Sequence, residues 1–155
     1  YSASSNQVNL IDSTSNNIYF TGIQLEVGEV ATPFEYKNYG DELQRCKRYY
    51  QRLTKYNQQV YAAGYFESDV IGRHAVQLPV RMRTAPTATF SAASTFTNIY
   101  TGSLAAGTSI STINTDEDTL FTSLTVGSGG GTDGQACLLG AASSQTSEIY
   151  LTADL

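Results

Sequence analysis

From residue 57 to the end, the sequence is a succession of short runs in which apolar and polar side chains alternate, punctuated by Gly, Ser, Asn and Asp. Val60, Ala62, Gly64 and Phe66 alternate with Tyr61, Ala63 and Tyr65; Val76, Leu78, Val80 and Met82 alternate with Gln77, Pro79, Arg81 and Arg83. Successive side chains of a strand point to opposite faces, so a period of two reads as half-buried strand and not as helix. Further strands are expected at 87–90, 96–101, 109–113, 119–126, 135–139 and 148–155, the last with Ile149, Leu151, Ala153 and Leu155 on one face. Pro79 has no N–H to give to a ladder, which places an edge or a bulge there. The run 127–134, five of whose residues are Gly at 127, 129, 130, 131 and 134, reads as a long hairpin loop. Many short strands at this spacing specify an all-β domain, a jelly-roll-like antiparallel sandwich. The 155 residues suffice for one domain with a real core, or for one domain and a fragment of another.

One helix precedes these strands. Gly40-Asp41 supplies a stop and an N-cap, with Gln44 at the capping-box position. Leu43, Cys46, Tyr50 and Leu53 recur at spacings of three and four and form an apolar stripe. Glu42 leads and Arg45, Lys47, Arg48 and Arg52 follow, an order that complements the helix dipole. The helix is expected over 39–56, linking or trimerising. Tyr49 and Tyr50 put aromatic surface on two of its sides. Either Tyr49 packs on its own sandwich or it meets another copy of the chain. Before the helix, Val8 and Leu10, then Ile18 to Phe20 and Ile23, Leu25 and Val27, read as two strands. Two strands cannot bury a face alone. The expectation is therefore that 1–38 closes a preceding β-sandwich, that 57–155 is the terminal one, and that the chain is part of a longer protein.

All nine cations lie between Lys37 and Arg83, and every charged residue after Arg83 is an acid: Asp116, Glu117, Asp118, Asp133, Glu148 and Asp154. A surface without cations cannot neutralise phosphates, so nucleic acid is not an expected partner of that half. Tight contact with anionic lipopolysaccharide is likewise disfavoured there unless cations bridge it. No stretch reaches the ~18 apolar residues of a membrane span, so membrane insertion is not expected. Cys46, on the helix stripe, and Cys137, in an apolar strand, read as buried, reduced small hydrophobes. His74, the only histidine, has no nucleophile motif near it and reads as a turn or interface residue. One histidine and two distant cysteines make no metal site. Asp116-Glu117-Asp118 reads as a solvated turn, with a calcium or sugar-hydroxyl site as the alternative. The full calcium loop with its closing bidentate Glu is missing, so no cofactor is expected. No enzymatic activity is expected either, since glycoside hydrolysis needs two acids across a cleft. Sugar binding asks for aromatic faces and for amides or carboxylates. Tyr100 beside Asn98, and Asp116, Glu117, Asp118 and Asp133 in the loops 105–118 and 127–134, have that chemistry at expected tip positions. Tyr61 and Tyr65, sharing one strand face, join Leu43, Tyr49, Tyr50 and Leu53 as candidate inter-subunit contacts.

Two stretches carry a resemblance. Phe20-Thr21-Gly22-Ile23-Gln24-Leu25-Glu26-Val27-Gly28, continuing Ala31-Thr32-Pro33-Phe34-Glu35, is followed by Tyr39-Gly40-Asp41-Glu42-Leu43 and Arg45-Cys46-Lys47-Arg48-Tyr49-Tyr50. In this order they resemble the C-terminal regions of bacteriophage tail fibres and related virion appendages. There the first stretch closes a carbohydrate-binding-like jelly roll and the second starts a final β domain. Leu78 to Thr87 looks like that domain's early strand, and Ile149 to Leu155 like its last. The resemblance implies a homotrimeric fibre end joined to the rest of the fibre, with the helix near the threefold axis. It further implies a virion component, assembled in the host cytoplasm, that binds a host surface receptor, a glycan above all. Between residues 90 and 147 the resemblance is loose, and that is where a receptor-binding surface would vary.

Overall fold

The computed structural model describes residues 15, 17, 19–30, 32–128 and 130–153. The chain divides into two units, Tyr1–Lys37 and Asn38–Leu155.

In the first unit, the described residues hold no strand. Ile23, Leu25 and Val27, read from their alternation as one face of a strand, stand 75%, 99% and 108% exposed. Their period of two is real, but no ladder partner is present among the described residues, and a strand exists only as part of a ladder. The alternate residues have found other bonds. The Glu26 carboxylate accepts from the Thr32 N–H at 2.6 Å, from the Thr32 hydroxyl and from Gln24 Nε2 at 3.0 Å; the Glu35 N–H donates to Gln24 Oε1 at 3.0 Å. These bonds, that of the Thr32 hydroxyl foremost, hold the Glu26 carboxyl below its ordinary range. The expected strand positions Val8, Leu10 and Ile18 lie outside the described residues.

The second unit opens with α1, Tyr39–Lys47. Its cap is Asn38 and not the expected Asp41: the Asn38 side chain accepts from the Gly40 N–H at 2.8 Å. The expected helix of 39–56 is too long. It stops at Lys47, and Tyr50–Tyr56 form strand β1. That segment satisfies both periods, since Tyr50 and Leu53 suit a helix stripe while Gln51, Leu53 and Lys55 alternate with Tyr50, Arg52 and Thr54. A seven-residue ladder with the last strand decides it, pairing Tyr50 with Thr152 through Tyr56 with Thr146.

The remaining strands are β2 (Val60–Ser68), β3 (Ile71–Gln77), β4 (Thr87–Phe90), β5 (Phe96–Tyr100), β6 (Ser103–Thr115), β7 (Thr119–Val126), β8 (Ala136–Ala141) and β9 (Thr146–Thr152). Every ladder among the described residues is antiparallel. The all-β class read from the alternation is what forms, and one of its two sheets closes into a six-stranded barrel in the order β2-β3-β7-β6-β5-β8. The other is a three-stranded sheet, β1-β9-β4. One core joins them: Val76, Phe96, Leu120, Leu124 and Leu139 from the barrel meet Ile149 and Leu151 from β9. The alternation of 72–78 is reproduced in burial, but β3 ends at Gln77, just before Pro79. There the ladder gives way to single bonds, Leu78 N–H to the Asp118 carbonyl and Met82 N–H to the Glu117 carbonyl.

The glycine-rich run after β7 is not a hairpin loop. β7 lies between β3 and β6 while β8 lies between β5 and β2, so the run must cross the end of the barrel. It passes close over the β2–β3 corner. A Cβ on Gly130 would overlap the Asp69 carbonyl, and one on Gly131 would sit 2.3 Å from the Phe66 ring. Lack of a side chain, not flexibility, is what those positions require.

Candidate functional site

The residues proposed from sequence as sugar ligands do not form one site. Tyr100 pairs with Ser103 at the start of β6, whereas Asp116, Glu117 and Asp118 follow its far end at Thr115. A strand of 13 residues separates them, a distance on the order of 40 Å. Asp133 falls at the Tyr100 end, in the crossing loop whose Gly134 N–H bonds the Phe66 carbonyl. Tyr100 itself packs edge-to-face on Phe66, with centroids 5.1 Å apart. Asn98 is removed from the list altogether. It is fully buried inside the barrel, where no saccharide can reach it.

Asn98 belongs to a polar cluster that sequence reading missed. His74, Asn98 and Thr122 are each 0% exposed, and Cys137 lies with them, its Sγ 3.3 Å from His74 Nε2. The imidazole has room because Gly64 and Gly72 flank it; a Cβ on Gly72 would fall 2.5 Å from Asn98 Nδ2 and 2.8 Å from His74 Cε1. The Asn98 amide lies beside the ring without good hydrogen-bond geometry, and His74 Nδ1 and Thr122 Oγ1 lack a bonded partner. Burial therefore dominates. It pushes His74 down to about 4, against the opposing effect of Asn98, and pushes the Cys137 thiol up to about 11. His74 is thus a neutral core residue and not the turn or interface residue expected. The signal was present in Gly64 and Gly72, but which strands face one another is not written in either segment. Cys137 is buried as expected; Cys46 is exposed, because α1 lays no residue into the core. Among the described residues no group of three or more His, Cys, Asp or Glu side chains could hold a metal ion.

Two features reach the surface. The first is a groove of about 250 Å³ between α1, β1 and Pro79, lined by Leu43, Lys47, Tyr50, Gln51, Arg52, Leu53 and Pro79. It brings together three of the proposed inter-subunit residues, Leu43, Tyr50 and Leu53. Tyr49 is 41% exposed nearby, with the Arg83 guanidinium 5.9 Å from its ring centre. Arg52 bounds the groove and is ion-paired with Glu148, which Tyr150 also bonds. The second is a hollow of about 540 Å³ lined by Arg48, Val80, Arg81, Met82, Arg83 and Glu117.

Tyr61 and Tyr65 part company. A register shift between Val60 and Ala62 in the β2–β8 ladder breaks their shared face. Tyr65 stays outside at 47% exposure, whereas Tyr61 turns inward onto Phe96, with centroids 5.9 Å apart. The Tyr61 hydroxyl donates to the Ser147 carbonyl at 2.7 Å. Tyr61 is partly buried and packs against the core of its own chain. Tyr61→Phe should therefore lower stability by about 1 kcal/mol, read in urea unfolding, without changing the oligomer size.

No family model, curated protein or solved structure matches the chain.

Proposed function

We propose that this chain is the C-terminal tip region of a bacteriophage tail fibre, a homotrimer that adsorbs the virion to a glycan of the bacterial surface and catalyses nothing. The observation that carries this reading is the apolar face that one copy leaves uncovered. Tyr39, Leu43, Tyr49 and Tyr50 are 78%, 37%, 41% and 49% exposed, and α1 buries none of its residues. An isolated helix of nine residues is marginal in water and draws its stability from packing, so α1 gains most when further copies cover it. That agrees with the trimer implied by the resemblance at residues 20–50. The absence of enzymatic action is supported by the fate of the one histidine: His74 is sealed in the barrel and cannot reach a substrate. Glu117, in the run of three consecutive acids at 116–118, is ion-paired with Arg81.

The mechanism is multivalent. Three modest sites on one fibre, and several fibres on one particle, raise the effective concentration of each site after the first engages. Light scattering of the full chain is expected to give a trimer, and a host-glycan array is expected to show binding that matches the chain's ability to block adsorption. A monomer, or a trimer that neither binds nor blocks, sinks the receptor reading. The same uncovered face favours a second reading, a module that only trimerises and caps the fibre; a stable trimer inert in both binding assays is its signature.

A further inference from the structure

Residues that pair across antiparallel strands lie on the same side of the sheet, so the ladders of the barrel can be followed as rows around its wall. In β3 the buried positions are Gly72, His74 and Val76, which leaves Arg73 on the outer side. Arg73 pairs with Tyr65 of β2 and with Ser123 of β7, and Ser123 pairs in turn with Ser111 of β6. With neighbouring strands about 4.8 Å apart, this row of four residues runs about 14 Å across the wall. Tyr65 and Ser111 are exposed, and Ser123 between them is 8% exposed. Glu67 joins the row from β2: its Oε2 accepts from Arg73 Nε at 3.0 Å and from Arg73 Nη2 at 2.5 Å. Both bonds fall on Oε2, and among the described residues Oε1 accepts none. A guanidinium carries five N–H donors, of which Glu67 engages two. Glu67 and Arg73 are the only charged side chains on these four strands, and they neutralise each other.

We infer that this row is the saccharide site and that it takes a neutral hexopyranose chain. One sugar ring lies on Tyr65 with its hydroxyls bonded by Glu67 and Arg73, and the chain runs on towards Ser111. The inference deepens the glycan-binding reading and rests on it. An aromatic ring offers an apolar face to the C–H side of a pyranose while its hydroxyl stays wet. Beside it, the carboxylate can only accept and the guanidinium can only donate. Two adjacent sugar hydroxyls need one of each, and bonds to charged partners are the stronger kind. Arg73 is already held by Glu67, so binding orders little that was loose. The charge class follows from the same pair. An ionised sugar finds no uncompensated cation on this face, and it approaches a chain of net charge −5.

The test is calorimetric titration of the full chain with maltotetraose, with an oligogalacturonate, and with that oligogalacturonate after reduction of its carboxyls. At least one of the two neutral probes is expected to bind, at least ten-fold more tightly than the charged one. Tyr65→Ala and Glu67→Gln are each expected to lose at least ten-fold in affinity for it, while Tyr65→Phe, which keeps the ring, stays within two-fold. Exposed ion pairs contribute little to stability, so Glu67→Gln is expected to keep its fold; thermal melting and light scattering check fold and oligomer for each variant. No binding of either neutral probe overturns the inference, as does equal or tighter binding of the charged one, or an unchanged affinity of Tyr65→Ala. Loss of the oligomer in Tyr65→Ala with an undiminished affinity per subunit also overturns it, since the ring would then be an assembly contact. If the chain blocks adsorption and binds other glycans on the array, the receptor reading survives that failure; if it does neither, both fall.

Discussion

Lowering the pH from 7 to 4 is expected to cost the folded chain about 3 kcal/mol through His74 alone. The side chain is fully enclosed, and burial depresses it from 6.5 to about 4. A depressed histidine is neutral in the fold while the unfolded chain takes up its proton near pH 6.5. Stability is therefore complete above 6.5 and falls as the pH drops from 6.5 towards 4, at about 1.4 kcal/mol per unit. Below about 4 both states are protonated and this loss stops growing. The upper part of the window belongs to His74, since it is the one histidine in the chain. Glu148, held low by bonds from Tyr150 and Arg52, adds a loss of the same sign only at more acid pH. Urea unfolding midpoints measured from pH 7.5 to 4.5 should show this slope, and His74→Gln should flatten it while lowering stability at pH 7. A slope left intact by the substitution would refute the assignment.

Gly64→Ala is expected to cost about 3 kcal/mol or more for a single added methyl. Gly64 pairs with His74 on one side and with Cys137 on the other, at the wall of the polar cluster. A Cβ there would sit 1.9 Å from the Arg73 carbonyl oxygen and 2.6 Å from His74 Cδ2. The nearer atom is backbone and belongs to the β2–β3 ladder, so it cannot swing aside as a side chain would. Gly102→Ala is the control. Its position has φ +78° and open space around the new methyl, so it should lose only about 1 kcal/mol from backbone strain. If guanidinium unfolding gave the two variants equal losses, close packing at Gly64 would not be the reason for that glycine.

Much of the strand content was legible. β4 and β7 occupy 87–90 and 119–126 as the alternation predicts, and Ile149, Leu151 and Ala153 are buried together. The errors share a cause. At 50–56 two periods fit the same residues, and only pairing with β9 chose between them. At 103–108 strand β6 begins well before its apolar alternation does, because β5 supplies a partner through a tight turn at Thr101 and Gly102, both with positive φ. At 23–27 the alternation was present and, among the described residues, the ladder was not. The candidate site fared worse, since Glu117 was in view while Arg48, Arg81 and Arg83 were read only as a charged helix face and a strand edge. Nothing in a local window links residue 48 to residues 81–83 and 117.

What the amino-acid order determined by itself is the class: β-branched, aromatic and small residues in period two can bury one face only as sheet, and the turn residues between them keep each strand short. What only the tertiary structure decided is closure. Pairing β2 with β8 turns a sheet with two faces into a barrel with an inside and an outside. That enclosed His74 and Asn98 in the core and left Tyr100 and Asp116–Asp118 at opposite ends. Side-chain period is a property of neighbours along the chain. Which strand lies beside which depends on contacts between residues far apart in sequence, and those carry no local signature.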